Sequence, residues 1–550
     1  MGICWIEPAV ASGRSRMTAD ERVRHLARPK GAHFIQAGGL EPPTGRQLHP
    51  LPPPMPHKVF EIDEILRLIT GHAVDLGGSA PVALACCCKV FEEPTLSLYW
   101  EDRRLDQLAN VLPKGVLKRS GPNTSPYYVC ASGHSGPSTS SSLTRSVLQT
   151  IIRPPTQEER DRLLRYASWI KRISGVITRR FEAFFEILQL SSPTRVPFPN
   201  LRGLSWRIYP SLLHFLPLFV SPRMTTFSVS VYSDTSFDSN TMKRDYLAAA
   251  VATLPASLQE LTLGVNPASL GSDELKEEVL YAIQRCGRTL GHLEIDVELS
   301  NVTIHHAMRL PNLHTWRICR SVLPTTLIPS PEETTYLPAL RSLALSAMEY
   351  DWVVFLASSY PAVNGVRSTL TELNLSGHHA VNPALIDQIC LFTNLMRLDV
   401  DLSCPEDECV FDLGDEDLSR LSVALPRLEW LMLGHQCDKN TCKTTFRSLL
   451  FLSARCPKLT FLSIHFNTVE IARDIESLFE TGDPGVKGLW DSPMRCKLGT
   501  FSVSQTPLTL KGPDELDVVK RGFLNVFPQL REISRRYGRT WQSLTEALRK

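Results

Sequence analysis

Apolar residues recur along this chain at offsets 0, 3 and 5, as in "LTELNL" from Leu370. A helix repeats every 3.6 residues and a strand every two, so neither gives these offsets alone. The same pattern starts at Leu201, Met224, Leu258, Leu290, Leu313, Leu340, Leu395, Leu428, Leu459 and Leu498, which makes eleven copies in all. They follow one another at roughly thirty residues, the period of a stacked-repeat protein. In five copies a proline stands two residues ahead of the leading leucine, at Pro199, Pro311, Pro338, Pro426 and Pro457. A truncated copy, "FPQLREI", follows from Phe527, and "WIKRISG" from Trp169 reads as the first unit.

The offsets fit a short strand that begins at the third or fourth residue of each copy. Residues four and six then point inward with the strand's period of two, and residue one closes the core from the turn. Between copies, Leu275–Ile283 and Arg447–Cys456 have helical spacing and predict helices on the convex side. No copy can bury its apolar face alone, so neighbours must stack. Offsets 2, 4 and 6 face the concave side. There most copies carry small polar residues, such as Thr262, Ser342, Ser376, Ser463 and Ser502. Two neighbouring copies differ, presenting Arg397, Asp399 and Asp401, then Trp430 and Met432; the next adds Phe461 and His465. Exposed aromatics beside charges are the kind of anchor that carries binding energy, so these seven residues are the candidate substrate site. A slip of one residue would send them into the core. Leu428, Leu431 and Leu433 already fill the inward positions, which supports the register.

The repeat resembles the leucine-rich repeat family in its long, irregular, helix-containing form. The implied fold is α/β: a solenoid with parallel strands on the concave face and helices on the convex face. The family's asparagine at offset 8 appears only as Asn266 and Asn467.

Upstream of the repeats the pattern changes. Residues 1–56 lack sustained apolar periodicity, end in "HPLPPPMP" and read as disordered. Met55 stands just before the first periodic segment, so Met1 and Met55 are both candidate initiators. Residues 57–113 predict a small helical unit. Ile62, Ile65, Leu66 and Ile69 share one helical face. A second helix through Cys86–Cys88 is expected to be buried and to break at Pro94, and a short third helix holds Leu96 and Trp100. Residues 114–150 are rich in Ser, Gly and Thr and read as a flexible linker or insert, with 118–145 its dispensable part. Such a linker argues against a tight cap on the solenoid, which spans 151–550. Helical pattern resumes after Pro155, where Thr156 and Glu159 form a capping box.

The helical unit resembles the F-box, in the version common in fungal, basidiomycete-type gene families. "IDEILRLI" (Ile62–Ile69), "ALACCCKVFEEPTL" (Ala83–Leu96) and "LYWE" (Leu98–Glu101) carry the likeness; Asp63 stands where the family usually has proline. The resemblance implies an adaptor that docks the Skp subunit of a cullin ubiquitin ligase through Ile62, Ile65, Leu66, Ile69, Cys87, Phe91 and Trp100, and holds a protein substrate on its repeats. The alternatives are a repeat scaffold outside any ubiquitin ligase, or an enzyme with a site in 114–150. Physics points the same way, since three short helices in about fifty residues lack a self-sufficient core and need a neighbour or partner.

Composition narrows the rest. Net charge is +2 with 21% charged residues, a balance that marks no nucleic-acid-binding face. "LLHFLPLFV" (Leu212–Val220) is far too short to span a bilayer, and the start lacks the pattern of a secretory signal. Fourteen cysteines without framework spacing fit a reducing compartment, cytosol or nucleus, where the sequons at Asn123, Asn301 and Asn374 have no role. Phosphate-binding glycine loops, His-Glu-x-x-His and nucleophile elbows are missing, so no catalysis and no cofactor is expected. Glu406, Asp407 and Glu408 read as a solvated loop. Cys404, Cys409, Cys437 and Cys442, with His435 nearby, leave three readings open: zinc, a redox disulfide or free loop thiols.

Overall fold

The computed structural model describes residues 63–548 other than 77–79, 103, 114, 120–148, 193–195, 232–240, 266–272, 298, 320–335, 347–350, 358–363, 378–380, 403–410, 435–442, 481–495, 504–507, 509 and 536–538. The expectations for residues 1–56, Ile62, Asn266, the 406–408 acidic run and the Cys404, Cys409, Cys437, Cys442 and His435 group fall outside the described residues. The first described elements are helices α1 (Asp63–Leu76), α2 (Ala80–Cys87), α3 (Lys89–Trp100) and a short α4 (Leu105–Ala109).

Here the helix boundaries differ from expectation. The break falls at Cys88, whose backbone is extended (φ −157°, ψ 141°), and Pro94 sits inside α3. Glu92 lies in the first turn of α3, where the helix dipole favours an acid, and the helix continues through Pro94 although the proline lacks the N–H that would bond the Val90 carbonyl and its ring crowds that carbonyl. The expected burial of Cys86–Cys88 is also corrected: all three are exposed. Helix α2 is eight residues long and buries Pro81 and Ala85, one turn apart, which turns the cysteines at its end away from the core.

Strands β1 (Leu117–Arg119) and β2 (Gln149–Ile151) pair antiparallel, Leu117 opposite Ile151. Helix α5 (Gln157–Trp169) follows, and both bonds of its capping box form: Thr156 Oγ1 accepts from the Glu159 N–H at 3.3 Å, and Glu159 Oε2 accepts from the Thr156 N–H at 2.8 Å.

From there the eleven copies become eleven strands, each starting two residues after its leading apolar residue. They are β4 (Gly203–Ile208), β5 (Thr226–Val231), β6 (Glu260–Val265), β7 (His292–Asp296), β8 (Thr315–Cys319), β9 (Ser342–Ser346), β10 (Glu372–Gly377), β11 (Arg397–Leu402), β12 (Trp430–Leu433), β13 (Phe461–Ile464) and β14 (Thr500–Val503). The first unit supplies β3 (Arg172–Ile177) and the truncated copy supplies β15 (Glu532–Arg535). All thirteen lie in one sheet in strict chain order, and each pairing in it is parallel. The result is a solenoid-like repeat fold.

The register explains the offsets. Leu373, Leu398, Leu431, Leu462 and Phe501 align across neighbouring strands and are buried, as are the leading residues Leu370, Leu395, Leu428, Leu459 and Leu498. Helices between strands cover that side; Asp273–Cys286 and Phe446–Arg455 fall where helical spacing predicted them. At the far end, helix Arg539–Leu548 packs on β15 and buries Trp541 and Leu544.

The helical unit is fused to the other end of the sheet. The Glu101 carbonyl accepts from the N–H groups of Lys171 and Arg172, both at 2.9 Å. The Lys171 carbonyl makes the same fork to Arg202 and Gly203, and Arg202 to Thr225 and Thr226. Asp102 bridges to Arg172 in parallel, and Lys171 Nζ meets Glu101 Oε2 at 2.9 Å. Glu101 thus stands where a preceding repeat would stand. Trp100 is buried, with its ring 5.1 Å from Tyr166 of α5. The expected loose linkage is therefore corrected: the ends of the 114–150 segment are paired in the β1–β2 ladder, and α3 and α4 pack on α5 without a spacer.

Candidate functional site

The sheet face turned away from the helices changes character at β11. Arg397, Trp430 and Phe461 are register partners on three successive strands. The Trp430 and Phe461 rings stack 3.6 Å apart at 12°, and the Arg397 guanidinium lies 4.5 Å over the Trp430 ring. Both aromatic residues are half-buried, where exposure was expected. In the next row Asn374, Asp399, Met432 and Ser463 align, with Met432 half-buried and Asp399 6% exposed. Asp401 follows on β11, half-buried.

Burial, reinforced by repulsion from Asp401 and opposed by Arg397 and Arg317, pushes the Asp399 carboxyl up to about 6. Oδ1 of Asp399, Oδ1 of Asp401 and Nε1 of Trp430 are buried and have no hydrogen-bond partner among the described residues.

His465 is not part of this surface, contrary to expectation. It is fully buried. Strand β13 ends at Ile464, so the alternation that would expose His465 stops one residue short, and Leu462–Phe466 is buried throughout. Gly434 contributes to this. Its backbone is left-handed (φ +70°), and the Phe411 ring occupies the place of its missing side chain. Phe411 in turn meets the His465 ring edge-on at 6.0 Å. Ser463 and Ser502, expected on the open face, are also covered.

A second charged group lies earlier on the same face. Glu294 on β7 meets Arg317 on β8 at 3.3 Å and His292 at 3.8 Å. Both Glu294 and Arg317 stand at offset 4 of their copies, as Asp399 does, so the offset rule marks them although their neighbours are small and polar.

On the helical unit, the expected docking residues divide. Leu66, Phe91 and Trp100 are buried, Ile65 and Ile69 are half-buried, and Cys87 is exposed. The large apolar side chains that α1 and α2 offer to solvent are Leu68 (74% exposed), Leu76 (68%) and Val82 (45%). These three lie off the apolar stripe of Ile65, Leu66 and Ile69, so no periodic signal marks them. Among the described residues, no cluster of three or more His, Cys, Asp or Glu could hold a metal ion, and no helix is long and apolar enough to cross a membrane.

Compared with protein-family models and with curated proteins, the sequence matches none. Solved structures do match, among them a chain of the crystal structure of the Rad7 and Elc1 complex in yeast. It is 14% identical over 63% of this chain and 73% of that chain, with a TM-score of 0.28. So loose a superposition supports no functional reading, and the fold stands on the sheet described above.

Proposed function

We propose that this chain is a substrate-recognition adaptor of a Skp-cullin-F-box ubiquitin ligase, acting in cytosol or nucleus and performing no chemistry itself. The observation that carries this reading is the apolar exposure of α1 and α2 on a helical unit placed at one end of a solenoid. Leu68, Leu76 and Val82 gain nothing from water, and their burial against a partner would contribute about 1.5–3 kcal/mol each. The repeats would hold the substrate on the Arg397, Asp399, Asp401, Trp430, Met432 and Phe461 surface.

A second reading has a specific observation in its favour. The fork of bonds from Glu101 and the buried Trp100 make the helical unit a cap on the sheet, and a capped repeat scaffold acting outside any ligase has the same architecture.

Co-purification separates the two. Leu66 and Phe91 are core residues, so charges there would unfold the unit; Leu68→Asp with Leu76→Asp is the informative variant. The adaptor reading expects the unaltered chain to capture Skp and cullin and the double variant to lose them with its fold intact. Failure of the unaltered chain to capture Skp leaves the scaffold reading. Trp430→Ala with Phe461→Ala should keep Skp and lose captured substrate.

A further inference from the structure

The Asp399–Asp401 pair is incompletely satisfied within the chain. The two carboxylates project from one face of β11, two residues apart. Asp399 is more than nine-tenths buried, and Oδ1 of each lacks a donor among the described residues. Buried acceptors left in that state are costly until something supplies a donor. Neither neighbouring cation hydrogen-bonds these Oδ1 atoms: Arg397 lies over the Trp430 ring and Arg317 pairs with Glu294, and both act on Asp399 only through space. Mutual repulsion of two close carboxylates favours a cationic ligand over a neutral one. No third carboxylate, histidine or cysteine joins them among the described residues, so the site lacks the ligand set of a metal ion.

Trp430 narrows the choice further. Its ring faces are covered by Phe461 from β13 and by Arg397 from β11. A sugar or free base that needs an open aromatic face has none to stack on. What the indole retains is its N–H, buried and without an acceptor. Trp430 pairs with Arg397 on the neighbouring strand, one row before Asp399, so a segment lying along β11 and β12 passes acceptors that need donors at the carboxylates and a donor that needs an acceptor at the indole.

Resting on the substrate-recognition reading, we propose that this site takes an arginine or lysine side chain of an extended partner segment. The Asp399 and Asp401 carboxylates receive the cation, and the Trp430 indole N–H donates to a backbone carbonyl of the same segment.

The test uses fluorescein-labelled serine pentapeptides with arginine, lysine, citrulline or glutamate at the centre, titrated by fluorescence anisotropy against the intact chain. The arginine and lysine peptides should bind at least about tenfold more tightly than the citrulline and glutamate peptides. Asp399→Asn with Asp401→Asn, which keeps shape and removes charge, should abolish that preference. Equal binding of citrulline, a preference that survives the double variant, or binding by none of the four overturns the proposal. Skp capture by the same preparation is read separately. Peptide preference without Skp capture upholds this site and overturns the adaptor reading; Skp capture without peptide preference does the reverse.

Discussion

Asp399 holds its ionised form against its surroundings, and that has a measurable sign. Its folded-state value of about 6 lies above the ordinary 3.8 because burial disfavours the charge. Between those values the folded chain holds a proton that the unfolded chain has released. Stability therefore falls as pH rises from about 4 through about 6. Asp399→Asn removes the penalty, and urea denaturation should show a gain of up to about 3 kcal/mol at pH 7 and almost none at pH 4. Gly434 is a residue-scale constraint of the opposite kind. An added Cβ would meet Phe411 Cδ2 at 2.7 Å on a left-handed backbone. Gly434→Ala should lower stability by about 1–3 kcal/mol and loosen the cover over His465, seen as faster amide exchange around Ile464–Phe466.

Among the elements, α5 shows how a local signal fixes a boundary. Thr156→Ala should cost about 1 kcal/mol in denaturant unfolding, since it removes one arm of the capping box. The Arg153 hydrogen bond, and after it the backbone N–H of Thr156, hold the Glu159 carboxyl down at about 2 against its ordinary 4.5. The stability this contributes is present above about pH 4.5 and is lost as pH falls toward 2. The capping box was readable because both of its bonds depend on residues three apart. Strand positions were readable for a similar reason: the leading apolar residue and the strand start are two residues apart in all eleven copies. What could not be read was contact between distant segments. The pairing of Leu117–Arg119 with Gln149–Ile151 joins two stretches flanking a Ser-rich run, and nothing local announces it. The same holds for Glu101, whose fork to Lys171 and Arg172 needs the fold to exist first. The ladder also redraws the dispensable segment, because Lys118 and Arg119 belong to a strand. Replacing 120–148 by a two-residue turn should leave stability within about 1 kcal/mol, as loop-length costs are small. A cooperative loss of folding would show that the segment is structural.

For the molecule as a whole, the leucine period marked all thirteen strands, β3 and β15 included, while the elements that cover the two ends of the sheet and the solvent-facing apolar residues of α1 and α2 became visible only in three dimensions. His465 is buried because its strand stops at Ile464, and Trp100 because the helical unit packs on the end of the sheet; the periodic rule covers neither place. The account's central claim is that the exposed side of α1 and α2 receives a Skp adaptor while the sheet face stays free for substrate. Hydrogen–deuterium exchange of the intact chain, with and without purified Skp, tests it most directly. The account predicts that added Skp slows exchange within residues 63–87 and leaves β11–β13 unchanged. Unaltered exchange across 63–87, or protection that appears on β11–β13 instead, would contradict it.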